Sequence, residues 1–335
     1  MKIASLALAA GLVLACGAAH AASPPLKITQ RIAGPDGPWD YANVDPVHRR
    51  LYLAHGTAIT ALDLDTGKVT PSLLPAQRAH IALPLPGGNE ILVTNGGNDT
   101  AVLADAMTGA VRATVPTGKS PDAALVEPTT GLAFVMNGHG ESITLIDLKA
   151  GKAVGTIPVA GTLEYGAVDG QGRVFVNIED KGEIVVIDAA QRKVVDHWAM
   201  AGCEEPSGLA YAAKAKVLIS ACANGMAKVV STVDGKVVST LKIGPKPDAA
   251  FYDAAKGLAY IPSGGDGSLS VIAVRGPKDV AVVGKIMTQP GSRTGAVDPT
   301  SGKVYLPSAK YEAPAKAGGR PAQTPGTFAV LVLDR

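Results

Sequence analysis

An all-β fold, a seven-bladed β-propeller of four-stranded blades, is what the sequence predicts, and three observations predict it. Short apolar triplets recur at Leu51-Tyr52-Leu53, Ile91-Leu92-Val93, Ala133-Phe134-Val135, Val174-Phe175-Val176, Val217-Leu218-Ile219, Ala259-Tyr260-Ile261 and Val304-Tyr305-Leu306, at steps of 40, 42, 41, 43, 42 and 45 residues. The apolar content is mostly Val, Ala, Leu and Ile, interrupted by 39 Gly and 24 Pro, which is the chemistry of many short strands and turns. No 3.6-residue hydrophobic rhythm runs between the triplets, so helical repeats are excluded and the period is that of a propeller blade.

Each repeat resolves into four strands. In the third, Ala123 to Val126 is the inner strand, Glu127-Pro128-Thr129-Thr130-Gly131 the turn, and Leu132 to Asn137 the second strand. Ser142 to Leu148 is the third strand, and after Ala150-Gly151-Lys152 the outer strand runs from Ala153 to Val159. The same turn grammar recurs at Asp65-Thr66-Gly67-Lys68, Met107-Thr108-Gly109 and Asp234-Gly235-Lys236. The blades are expected at about 39–79, 80–121, 122–163, 164–206, 207–247, 248–292 and 293–335. The last stops at Leu333-Asp334-Arg335 without an outer strand. Residues 26–34 read as that missing strand, which closes the ring by pairing into the last blade and removes an exposed sheet edge. One domain therefore spans 25–335.

The first 21 residues read as a secretory signal peptide: Lys2, an apolar run from Ile3, and a small-residue Ala19-His20-Ala21 site. The expected location is periplasmic or secreted, with lipidation of Cys16 as the alternative. In an oxidising compartment Cys203 and Cys222 are expected to form a disulfide, against the alternative of two buried thiols. The chain has 335 residues, of which 47% are hydrophobic and 18% charged, enough apolar material for a folded protein. Its net charge of +2, with no dense Lys/Arg block, offers no footprint for nucleic acid or an anionic membrane. No later segment is long and apolar enough to span a bilayer.

Leu92-Val93-Thr94-Asn95, with its variants Phe134-Val135-Met136-Asn137 and Leu51-Tyr52-Leu53-Ala54-His55, resembles the motif that names the YVTN propeller repeats. The turn Thr66-Gly67-Lys68-Val69 is similar to one in that family. The resemblance covers the whole mature chain and is to exported YncE-like proteins. It implies a fold and transfers no catalytic residue, because the same superfold hosts lactonases, dehydrogenase subunits and binding scaffolds. The later copies carry Ile178, Ala221, Ser263 and Ser308 where the Asn would stand.

In a propeller the residues just before the inner strands converge on one mouth. Here they are Asp40, His80, Asp122, Glu164, Ser207, Asp248 and Arg293. Read as a site, this ring binds a polar ligand: Asp122, Glu164 and Asp248 are candidate ligands for a divalent metal, and His80 and Glu164 are candidate acid–base groups. Read as structure, it is a solvated funnel with Arg293 pairing to a neighbouring carboxylate. Asn95 and Asn137 end second strands, where they either face a ligand or cap the turn. Trp39 either stacks on a ligand or packs under the closing strand. The long connection from Pro307 to Thr327, with Lys310, Lys316 and Arg320, reads as a basic flap or a tolerated insertion.

No Gly-x-Ser-x-Gly, Gly-x-Gly-x-x-Gly, Cys-x-x-Cys-His or His-Glu-x-x-His occurs. No cofactor is evident beyond the divalent metal. The expected function is a non-catalytic scaffold binding a small molecule or an envelope protein. The alternatives are a lactone or ester hydrolase at the mouth, and an accessory subunit of a periplasmic redox complex.

Overall fold

The computed structural model describes residues 26–313 and 321–335. The signal-peptide reading of 1–21, Cys16, and Lys316 and Arg320 of the long connection lie outside the described residues. The described chain is all β apart from two 3-10 turns, Glu179–Lys181 and Ala213–Ala215.

The strands form a β-propeller of six sheets, which corrects the expected seven separate four-stranded blades. Five sheets have four strands. The sixth has six: Ala42–Asp45, Arg50–Asp63, Val69–Pro84, Glu90–Asn95, Thr100–Asp105 and Val111–Pro116. This sheet takes in the first two of the seven sequence repeats. The reason is local. Every other passage from an outer strand to the next inner strand contains a glycine, as in Gly118, Gly161, Gly202, Gly244 and Gly291, whereas Leu74-Pro75-Ala76-Gln77-Arg78-Ala79 has none. Without that break the strand Val69–Pro84 runs on for 16 residues. Ala79 pairs with Gly56 on one side and with Asn95 on the other, so one ladder passes from repeat to repeat.

The last sheet is closed from the other end of the chain. Lys27–Ala33 pairs antiparallel with Ala329–Asp334, from Lys27 opposite Asp334 to Ala33 opposite Ala329. Successive sheets meet through their inner strands, and Ala296–Val297 of the last sheet returns to Ala42–Asp45 of the first. The core lies in the wedges between sheets. At the seam between first and last sheets it contains Trp39, Leu51, Leu53, Tyr305, Phe328 and Val332.

Turns after inner strands and after third strands share one device. Glu127, fully buried, accepts hydrogen bonds from the backbone N–H and hydroxyl of both Thr129 and Thr130. Burial pushes its carboxyl up, but these bonds outweigh it and hold it below the usual range. Gly131 then takes φ +69°, a left-handed conformation that other residues enter only at a cost. Asp63 and Asp105 anchor the Thr66-Gly67 and Thr108-Gly109 turns in the same way.

Cys203 and Cys222 are joined by a disulfide, with their Cα atoms 5.3 Å apart. The bond ties the approach to strand Pro206–Ala212 to the end of strand Val217–Cys222. A disulfide is consistent with a protein outside the cytoplasm. Among the described residues no helix is long and apolar enough to cross a membrane.

Candidate functional site

The ring at the mouth is built by hydrogen bonds that pass from one inner strand to the next. Asp40 places its N–H on Ala54 O at 2.9 Å, and its carbonyl accepts from the Thr294 hydroxyl at 2.8 Å. The His80 carbonyl accepts from Tyr41 N–H at 3.1 Å, and the Asp122 carbonyl from the Thr94 hydroxyl at 2.6 Å. The Asp248 N–H donates to Arg293 O at 3.2 Å. Asp40, His80, Asp122, Asp248 and Arg293 therefore leave from backbone positions held by these bonds.

The side chains group into two parts. His80 Nδ1 lies 2.6 Å from Asp40 Oδ2 and 3.6 Å from Asp122 Oδ1. One donor atom from each of the three lies within 4.8 Å of the others. On the other side of Asp40, Arg293 Nε donates to Asp248 Oδ2 at 2.7 Å, and its Nη2 donates to Trp39 O at 3.1 Å. The Tyr41 hydroxyl lies between the two parts and donates to Glu164 Oε2 at 3.5 Å.

Crowding of carboxylates in a concave, partly desolvated space sets the electrostatics. Burial pushes the Asp122 carboxyl up to about 7, with the Asp40 charge adding and the His80 charge opposing. Burial likewise raises Asp248 to about 6, helped by Asp40 and opposed by Arg293. Burial raises Glu164 well above the usual carboxylate range, and Asp122 and Asp248 add to it. For His80 burial works against the charged ring, but the hydrogen bond to Asp40 and the charges of Asp122 and Asp40 outweigh it and raise its pKa. Among the described residues of the ring, the four carboxyls outnumber the two basic groups, His80 and Arg293.

His80 has its second nitrogen enclosed. Nε2 is buried without a hydrogen-bond partner among the described residues, and a Cβ on Gly96 would come within 2.7 Å of it. The nitrogen that would take a proton from a substrate therefore faces the Gly96 backbone. Of the three candidate metal ligands, Asp122 belongs to the compact trio with Asp40 and His80; Glu164 and Asp248 lie outside it.

Of the remaining candidates, Ser207 lines the cavity beside Asp248 and Arg293, and the others are engaged in turns or packing. The Ser207 hydroxyl, 6% exposed, donates to Pro247 O at 3.1 Å. Asn137 is fully buried and its amide donates to the Ser142 and Thr144 hydroxyls, which is turn capping. Asn95 accepts from Gln77 N–H at 2.9 Å. Trp39 is 3% exposed and packs edge-on against Phe328, with centroids 5.3 Å apart, in the seam rather than toward the mouth. The long connection is tied down at its base: Tyr311 bridges Gln323, and Asp36 accepts from Gly326 N–H at 2.6 Å and Phe328 N–H at 3.3 Å.

A cavity of about 480 Å³ opens beside Asp248 and Arg293 and extends to Glu179, Glu204, Glu205 and Lys246. These four were not among the residues singled out from sequence. The available signal was the position of Glu204-Glu205 directly after Cys203: the disulfide and the bond from Ala223 N–H to Glu204 O at 2.8 Å hold that wall in place.

No family model matches the chain, and no curated protein matches it. Among solved structures, it is similar to Kuenenia stuttgartiensis hydrazine synthase, with a TM-score of 0.68 at 17% identity, over 84% of this chain and 95% of that one. At this identity the likeness shows the β-propeller fold and nothing of function.

Proposed function

We propose that the chain is an exported, YVTN-type scaffold whose propeller mouth binds a small organic cation without transforming it. The observation that carries this reading is the convergence of Asp40, Asp122, Glu164 and Asp248 on one mouth beside a cavity whose far wall adds Glu179, Glu204 and Glu205. Among the described residues, Arg293, beside Asp248, and Lys246, on the cavity wall, answer only part of that charge. An ammonium or guanidinium group can donate to two or three carboxylates at once and leave the His80–Asp40 pair intact. The adjoining cavity is the size of an organic molecule rather than of an ion.

The trio Asp40, His80 and Asp122 favours a second reading, a divalent metal. It offers only three side chains where Ca²⁺ takes about 6–8 oxygens, and a metal there must break the 2.6 Å hydrogen bond between His80 and Asp40. A hydrolase needs an accessible base, and the enclosed Nε2 of His80 does not supply one.

Thermal-shift titration at fixed ionic strength with putrescine, choline, arginine, CaCl₂ and ZnCl₂ separates these readings. Putrescine is expected to raise the melting temperature at pH 8 and to lose its effect toward pH 5, as Asp122 and Asp248 take up protons. Asp122→Asn is expected to weaken putrescine binding by about tenfold or more, the worth of one charge-assisted hydrogen bond. No shift with any organic cation sinks the proposal. A ZnCl₂ shift that disappears in Asp40→Asn installs the metal reading instead.

A further inference from the structure

The axial channel holds a second chamber, on the opposite side of Tyr41 and Tyr165 from the ring. Asp40 and Glu164 immediately precede these two tyrosines in the chain, and the rings sit 4.9 Å apart at a 55° tilt. From them a cavity of about 300 Å³ runs toward the turns at the far ends of the inner strands, as far as Val297 and Pro299. None of the ring residues lines it, and among the described residues no charged side chain does.

Its chemistry is the opposite of the mouth's. Aromatic faces come from Tyr41, Tyr165, Phe251 and Tyr252, and the room between them is left by Ala249, Ala250 and Gly295. Polar groups interrupt this lining, among them the tyrosine hydroxyls and the Asn43 amide. Asn43 borders the chamber, and its amide nitrogen is buried with no hydrogen-bond partner among the described residues. Such a group costs stability until something accepts from it. A cavity of about 150 Å³ has room for benzene, so by volume this one has room for an aromatic ring with a substituent.

We propose that this chamber is a ligand site for an uncharged planar aromatic compound bearing a hydrogen-bond acceptor, with Asn43 Nδ2 donating to that acceptor. Aromatic side chains bury the ring, and the amide sets its orientation. The site is independent of cation binding at the mouth.

The test uses para-fluoroacetophenone, which has the acceptor, and para-fluorotoluene, which lacks it, followed by fluorine NMR. Saturable broadening of both is expected with the wild type. Val44→Trp, or Val297→Trp should the first fail to fold, fills the chamber and is expected to abolish it. Asn43→Ala is expected to weaken the ketone about fivefold, as one neutral hydrogen bond of about 1 kcal/mol requires, and to leave the toluene unchanged. Asp122→Asn is expected to change neither; a change there would place the probe at the mouth and overturn the proposal. No saturable broadening with the wild type also overturns it. Crystals soaked in the ketone give a check that needs no variant: the ring is expected between Tyr165 and Phe251, and density only elsewhere contradicts the assignment.

Discussion

Phe328→Ala is expected to destabilise the protein by about 3–5 kcal/mol, the usual cost of emptying a buried aromatic site. Phe328 is 2% exposed and joins three elements that the sequence places far apart. Its ring lies 5.3 Å from Trp39 and 4.6 Å from His55, and a Cβ on Gly34 would sit 2.9 Å from it. The closing strand Lys27–Ala33 therefore reaches the last sheet over this side chain. Removing the ring leaves a cavity in the seam cluster. Urea unfolding gives the value directly; a loss below about 1 kcal/mol would mean that the seam is held by backbone pairing alone.

Asp122→Asn has the opposite expected sign. The Asp122 carboxyl titrates at about 7 in the folded chain, above the roughly 3.9 of an unfolded one. A group raised on folding lends the folded state stability that is fully present below the unfolded pKa and lost as pH rises through the folded one. The wild type should therefore lose stability between about pH 4 and pH 8. The asparagine variant should be the more stable of the two at pH 8, on the order of 1–3 kcal/mol, and equal to it near pH 4. This range is below the full shift because the side chain keeps 19% exposure to the mouth. Stability gained by deleting a carboxylate while binding is lost is the trade-off expected of a functional site. Equal stability at pH 8 would show that solvent already screens the ring.

Much of this was legible in the sequence, for identifiable reasons. The triplets and Gly turns are local patterns, so the strand of each repeat falls where its triplet stands. The number of sheets was not read correctly, because period counts repeats while sheets are separated by breaks in the ladder. The missing glycine between Leu74 and Ala79 was in view, and it is what joins the first two repeats. The ring residues were legible because one position per inner strand must reach the mouth. Their pairing was not, since it depends on how far Arg293 and His80 swing toward their neighbours. Trp39 and Asp40 are adjacent in a segment that pairs like a strand with Ala54, and neighbours in such a segment point opposite ways. With Asp40 at the mouth, Trp39 belongs to the seam. Glu179, Glu204 and Glu205 of the side cavity fall within one repeat, but Glu179 follows its second strand and Glu204-Glu205 its outer strand, so only the folded sheet brings them together.

The central claim is that the mouth holds a cation by ionising its carboxylates. Calorimetric titration of the wild type with putrescine at pH 6.5, repeated in buffers of different ionisation enthalpy, counts the protons exchanged on binding. With Asp122 at about 7 and Asp248 at about 6, both groups are partly protonated at that pH, and a bound cation drives the protons off. Net proton release is expected at pH 6.5, shrinking at pH 9 and reduced in Asp122→Asn. Binding with no proton release at pH 6.5 would contradict the claim and place the cation away from these carboxylates.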